Sequence, residues 1–219
     1  MPFWRPRGCV LWLDFLEPSG SVAYDKSGYG NHGTIYGAQR VRALGRYGLS
    51  FDGVDDYVEV PPSPSLDITD EVTVEALICP LSLPAGEHII AGKLPQPERS
   101  WELDQAGTRL EWWVYDGATW HYARKSNYLS VGEWFHAVGV YKSSTGELFL
   151  YGNGELLATG SSPAMASAPD TPVTIASTNT PDRWFNGIIA FVRIYNRALT
   201  PHEIKANYAY FFSHLKGEV

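Results

Sequence analysis

Apolar and polar side chains alternate with period two along most of this chain, and that alternation commits it to strands. In Val72-Thr73-Val74-Glu75-Ala76-Leu77-Ile78, the residues Val72, Val74, Ala76 and Ile78 share one face, while Thr73 and Glu75 share the other. Leu148 and Leu150 separate from Phe149 and Tyr151 in the same way. From Cys9 to Tyr195 such β-branched and aromatic runs are short and end in Gly, Pro, Asn or Asp, which is the punctuation of an all-β fold. Asn153-Gly154 closes a hairpin between Tyr151 and Leu156. Further turn signals stand at Asp52-Gly53, Gly107, Asp116-Gly117, Gly132 and Gly146. Together they predict roughly a dozen antiparallel strands in a two-sheet sandwich.

One helix is predicted. Thr200-Pro201-His202-Glu203 is a capping box with proline at the first helical position, so a helix is expected over residues 201–215. Ile204, Tyr208, Phe211, Phe212 and Leu215 form one apolar stripe at helical spacing, to be covered by a sheet of this chain or by a partner.

The 219 residues are 44% hydrophobic and 14% aromatic, enough to fill one sandwich core, and residues 1–219 are read as a single domain. Seventeen basic against 24 acidic side chains leave a net charge of −7. With no basic cluster to offset it, that charge repels phosphate backbones, so nucleic acid is not an expected partner. The longest apolar runs, Cys9 to Leu16 and Ile188 to Tyr195, are short and carry Asp14 and Arg193, so no membrane span is expected. Arg5 and Arg7 before an apolar stretch imitate a signal peptide, but Asp14 interrupts it and no small-residue cleavage site follows, so the stretch is read as the first strand. Cys9 and Cys79 lie 70 residues apart, which makes no metal or redox pair and leaves a disulfide open.

Several strings then occur in a recognisable order: Leu11-Trp12-Leu13-Asp14-Phe15, Asp25-Lys26-Ser27-Gly28-Tyr29-Gly30-Asn31-His32-Gly33, Leu49-Ser50-Phe51-Asp52-Gly53-Val54-Asp55-Asp56-Tyr57-Val58, Gly132-Glu133-Trp134-Phe135-His136-Ala137-Val138 and Val192-Arg193-Ile194-Tyr195-Asn196-Arg197. The chain resembles, over its whole length, the laminin-G-like, concanavalin-A-like jelly-roll family. That resemblance implies a jelly-roll sandwich that binds carbohydrate or protein, often beside calcium. It also implies an extracellular, cell-surface or virion setting. Such modules are rarely catalytic alone.

The same resemblance makes the loop at Asp25, Gly28 and Asn31 the candidate calcium site, because calcium takes hard oxygens from carboxylates, amides and backbone carbonyls on a tightly turned segment. An acidic ligand usual in such modules just before Val192 is replaced here by Ala190, which makes a site depend on Asp14, Glu17 or water. The other reading of the loop is structural, with Asp25 accepting backbone N–H bonds. Gly28-Tyr29-Gly30-Asn31-His32-Gly33 also satisfies G-x-G-x-x-G, but Thr34-Ile35-Tyr36 continues as a strand instead of opening the helix a dinucleotide requires.

Glu102-Leu103-Asp104 is similar to the start of the paired-carboxylate motif of laminarinase-like glycoside hydrolases, yet Gln105-Ala106-Gly107 follows where a further acid belongs. The pair is therefore read as solvated carboxylates near a strand end. His136 is read as structural. The aromatic residues carry the main expectation: sugars stack their C–H faces on Trp and Tyr while polar neighbours fix hydroxyls. In the hairpin from Leu110 to Arg124, Leu110, Trp112 and Val114 are expected inside. That turns Glu111, Trp113 and Tyr115 outward, and Trp113 and Tyr115, with Trp120 and Tyr122 on the return strand, are the candidate ligand contacts; Trp184 and Tyr29, in or beside loops, are second-tier ones. The outward set is either a binding platform or filling beneath a loop. The expectation is a non-catalytic module recognising polysaccharide or glycan. The alternative is a structural or protein-interaction module, such as a virion or surface attachment protein, assembling through the apolar helix stripe, with an exposed patch at Phe211 and Phe212, or through a sheet face, and a lower one is a glycoside hydrolase.

Overall fold

The computed structural model describes residues 5–43, 46–94, 98–177 and 183–215. In chain order the strands are β1 (Cys9–Leu13), β2 (Val22–Ala23), β3 (Gly33–Tyr36), β4 (Gln39–Ala43), β5 (Arg46–Asp52), β6 (Tyr57–Val60), β7 (Glu71–Pro80), β8 (Glu87–Lys93), β9 (Trp101–Ala106), β10 (Arg109–Tyr115), β11 (Trp120–Lys125), β12 (Phe135–Lys142), β13 (Glu147–Gly152), β14 (Glu155–Ser161), β15 (Val173–Ile175) and β16 (Asn186–Tyr195), followed by the helix α1 (Pro201–Leu215). The first sheet runs β14-β13-β12-β7-β16-β5-β4, with β1 also paired to β16, and the second runs β11-β10-β9-β8-β15-β6-β3-β2. Every pairing is antiparallel. This is the expected two-sheet sandwich with a C-terminal helix, and no helix among the described residues is long and apolar enough to cross a membrane.

The alternation read from the sequence decides what each sheet buries. Val72, Val74, Ala76 and Ile78 of β7 and Leu148 and Leu150 of β13 meet Trp101 and Leu103 of β9 and Leu110, Trp112 and Val114 of β10 in one core. The Asn153-Gly154 turn has φ of 51° and 79°, the left-handed pair that lets β13 and β14 close with matched twist. Gly139 on β12 lies directly beneath the Trp112 indole, so a Cβ there would collide with the ring. Trp112 is fully buried and its Nε1 donates to the Val140 carbonyl at 3.1 Å. Gly139→Ala is therefore expected to destabilise the domain by about 1–3 kcal/mol through over-packing, readable as a lower denaturant midpoint at unchanged slope.

The outer face of the first sheet is covered by α1. The capping box forms as read: Glu203 N donates to Thr200 Oγ1 at 3.3 Å and Thr200 N donates to Glu203 Oε2 at 2.8 Å. Arg197 grips the same carboxylate at 3.0 and 2.7 Å and, with Thr200, lowers Glu203 to about 2. Ile204 and Phe211 are buried; Phe211 stacks on Phe191 with ring centroids 4.0 Å apart, and Tyr208 lies 4.6 Å from Phe212. The side chain of Leu215 lies outside the described residues. Among the described residues the stripe packs within the chain: Phe211 is buried and Phe212 is half-buried against the same cluster, in place of the exposed patch expected at these two positions.

Beneath the helix lies a buried polar network built by the outward set of the same strands. Glu75 Oε1 is 2.7 Å from His136 Nε2, Tyr195 donates to Glu75 Oε2 at 3.0 Å, and Arg193 Nη1 stands 3.7 Å from the same oxygen. Arg193 is also held over the rings of Trp12, Phe191 and Phe211. Ala190, where the resemblance places an acid, is buried in the cluster that receives Phe211, so a carboxylate there would be sealed under α1. Cys9 and Cys79 are separate buried free thiols, and burial pushes the Cys9 thiol up to about 12.

Candidate functional site

The second sheet carries the chemistry on its outer face. With Leu110, Trp112 and Val114 committed to the core, alternation turns Glu111, Trp113 and Tyr115 outward. The register sets Trp113 opposite Tyr122 and Tyr115 opposite Trp120. The two pairs form one aromatic station, with ring centroids 4.5 and 5.2 Å apart. Tyr122 is 42% exposed, the Arg124 guanidinium lies 4.5 Å above its ring, and Trp113, Tyr115 and Trp120 are half-buried. Trp184, read as a second-tier contact in or beside a loop, stands apart from these pairs. Its ring lies 5.9 Å from Tyr57, which stacks on Tyr36 at 4.5 Å, making a second station over β6 and β3. Five strand steps separate β11 from β6, about 24 Å at the usual spacing.

Between the stations stand the carboxylates, and here the sequence expectation is corrected. Glu102 and Asp104 are not solvated at a strand end; they are 4% and 0% exposed on β9, in the middle of the sheet. Glu111 on β10 lies opposite Asp104 and Trp113 opposite Glu102. Glu87, at the start of β8, completes a group in which Glu87, Asp104 and Glu111 each place a carboxylate oxygen within 4.8 Å of the others. Arg183 reaches in from the segment before β16, its Nη2 at 2.8 Å from Glu87, 2.8 Å from Glu102 and 4.0 Å from Asp104. Burial raises the Glu102 carboxyl to about 7 against the pull of Arg183. Burial and the neighbouring carboxylates hold Asp104 well above the carboxylate range. Glu111, Glu87 and Arg183 were missed by sequence reading. The outward phase of Glu111 was legible, but its partner was not, because register is needed to set it beside Asp104.

The loop around Asp25 is assembled as a unit. Asp25 Oδ1 accepts from the backbone N–H groups of Trp12 and Ser27 at 2.9 and 2.8 Å, and Oδ2 accepts from Ser27 Oγ and Asn31 N at 2.7 and 3.0 Å. The Asn31 amide donates to the Val10 carbonyl and Ser65 Oγ at 2.8 and 2.9 Å. Gly28, with φ of +93°, has the Arg5 guanidinium packed where a Cβ would stand. Glu17 is engaged by Lys26 at 3.1 Å and Arg40 at 3.4 Å. Asp25, Gly28 and Asn31 are thus brought together, and four hydrogen bonds on the Asp25 carboxylate close the loop. Gly33 to Tyr36 continues as β3, as the argument against a dinucleotide site required.

No curated protein matches this sequence. Among solved structures, the fold superposes on the binding domain of Paraclostridial Mosquitocidal Protein 1 with a TM-score of 0.77 at 16% identity, covering 94% of this chain and 52% of that one. It also matches domain 4 of AbnA, a GH43 extracellular arabinanase from Geobacillus stearothermophilus solved in complex with arabinotriose, with TM-score 0.73, 18% identity, and coverage of 90% and 97%. A sialidase of Trypanosoma rangeli with the inhibitor DANA gives TM-score 0.70 at 20% identity over 91% of this chain and 32% of that one. The chain therefore spans about half of the toxin binding domain and a third of the sialidase. A family model described as the concanavalin A-like lectin/glucanases superfamily matches residues 52–205, and the chain belongs to that laminin-G-like family.

Proposed function

We propose that this domain is a non-catalytic module that binds an oligosaccharide lying across the strands of the second sheet. The observation that carries the reading is the pairing of two aromatic stations, Trp113/Tyr122 with Tyr115/Trp120 and Trp184 with Tyr57/Tyr36, on either side of charged groups on one sheet face. Aromatic faces supply stacking area, and Glu87 and Arg183, the accessible members of the charged group, supply hydrogen-bond partners for hydroxyls. A span of about 24 Å between stations suits a chain of sugars better than a single one. The arabinanase domain of the same fold, solved with arabinotriose, supports this reading. The protein-interaction alternative keeps a sheet face but not the centre of the helix stripe, because Phe211 is 4% exposed.

The convergence of Glu102 and Asp104 favours hydrolysis as a second reading, since a carboxyl near 7 suits a general acid. Retaining chemistry also needs an ionised nucleophile beside that acid, and Asp104 is pushed in the wrong direction for the task. An array of linear polysaccharides and oligosaccharides, probed with the intact domain and followed by product analysis, separates the readings. The expected result is selective retention of a linear oligosaccharide with no new reducing ends. Release of reducing ends would establish the hydrolase, and silence across the array would remove the carbohydrate reading.

A further inference from the structure

The geometry points to a divalent-cation site of the calcium class formed by Glu87, Asp104 and Glu111 on the outer face of the second sheet. These three are distinct from the Asp25 loop, and the inference stands independently of the sugar reading. Their oxygens lie within 4.8 Å of one another, a spread that one ion with bonds of about 2.3–2.6 Å can bridge. The second observation is Asp104 itself. It is fully buried, and neither of its carboxylate oxygens has a hydrogen-bond partner; its opposite charge, Arg183, stands 4.0 Å away. Glu111 is 1% exposed, gives Oε1 to Arg109 at 2.9 Å and keeps Oε2 bare. Buried carboxylates in folded proteins are ordinarily satisfied by donors or a metal.

Charge leads to the same place. Among the described residues, four carboxylates (Glu87, Glu102, Asp104, Glu111) face two guanidinium groups, Arg183 and Arg109, which leaves two negative charges when all are ionised. Arg124, across the register from Glu111, is turned over the Tyr122 ring. His88 directs its ring nitrogens to the carbonyls of Trp184 and Ala85. The donor set is therefore all hard oxygen, which selects calcium-class ions over zinc or copper. Glu87, 45% exposed at its side chain, is the open edge through which the ion and its waters enter.

The test uses the chelator-stripped domain, titrated with Tb3+ and read by luminescence sensitised through the neighbouring Trp113, with Ca2+ as competitor and the melting temperature recorded with and without Ca2+. The expected result is a Tb3+ signal displaced by Ca2+, and a Ca2+-dependent rise in melting temperature. Both are lost in Asp104→Asn and weakened at least tenfold in Glu87→Gln, and both are retained in Asp25→Asn. Glu87→Gln alters an exposed edge, so it reads the site even if Asp104→Asn folds poorly. Absence of any Ca2+-displaceable signal in the parent domain would overturn the assignment. So would parental binding in Glu87→Gln and Asp104→Asn, or loss confined to Asp25→Asn, which would place the ion in the loop.

Discussion

Tyr122→Ala and Trp184→Ala are each expected to weaken binding of a linear oligosaccharide about tenfold, and the double variant about a hundredfold. Loss of one stacking platform is worth on the order of 1 kcal/mol, and 1.4 kcal/mol is a factor of about ten. Additivity is the informative part. The two residues belong to stations about 24 Å apart with no shared contact, Tyr122 against Trp113 and Trp184 against Tyr57, and distant sites contribute independently. Titration calorimetry with oligosaccharides of increasing length measures it. A short ligand should feel one substitution only, whereas a ligand long enough to span the face should feel both. If Trp184→Ala left every ligand unaffected, the second station would play no part and binding would be confined to the β10–β11 hairpin. Both side chains are at least partly exposed, so melting temperature should move little and loss of fold will not be mistaken for loss of binding.

The sequence disclosed most of this fold because period-two alternation is a local signal. It placed Trp112 in the core and Trp113 outside, sent Glu75 to the face opposite Val74, and located the capping box at Thr200 and the hairpin turn at Asn153. The site was less legible, for a physical reason. Alternation assigns a face, not a neighbour, and it says nothing of what covers that face. Glu102 and Asp104 were read as solvated carboxylates near a strand end, but a carboxylate on a sheet face is solvated only where nothing lies above it. Their burial is set by Trp113 across the register and by Arg183, which arrives from a segment some 80 residues later in the chain. Trp184 was read as a second-tier contact in or beside a loop, with no neighbour assigned to it. The strand order β8-β15-β6 sends it to Tyr57, and no local pattern carries that order. The helix stripe was periodic, but the choice between a sheet and a partner needed the aromatic socket at Phe191.

Glu75→Ala should produce the largest loss of stability, about 3–5 kcal/mol, because it strips the acceptor from three buried partners at once. Arg193 is 3% exposed and His136 fully buried, so neither recovers water when the carboxylate is gone, and the Tyr195 hydroxyl loses its acceptor. For a domain of this length each kcal/mol is about 2–4 °C, so the melting temperature should fall by about 6–20 °C. The exposed pair of Lys205 and Glu155, 2.9 Å apart with both side chains at least two-thirds exposed, is the control: Glu155→Gln should change little. The pH dependence follows from the same contacts. Burial alone would raise the Glu75 carboxyl. The hydrogen bond from His136 and the charges of His136 and Arg193 overcome it and hold the group below its ordinary 4.5. A carboxyl lowered by folding contributes stability that is complete above its unfolded value and is lost as pH falls through its folded one. Parent stability should therefore decline from about pH 5 downward, with a shallower decline in Glu75→Gln, which cannot take up that proton. Because α1 rests on this network through Phe211 and the Arg193 guanidinium, amide exchange in the helix should accelerate before exchange in β7 as the pH is lowered. Equal acid limbs in parent and Glu75→Gln would show that the network is electrostatically neutral to folding, and that α1 is held by its aromatic contacts alone.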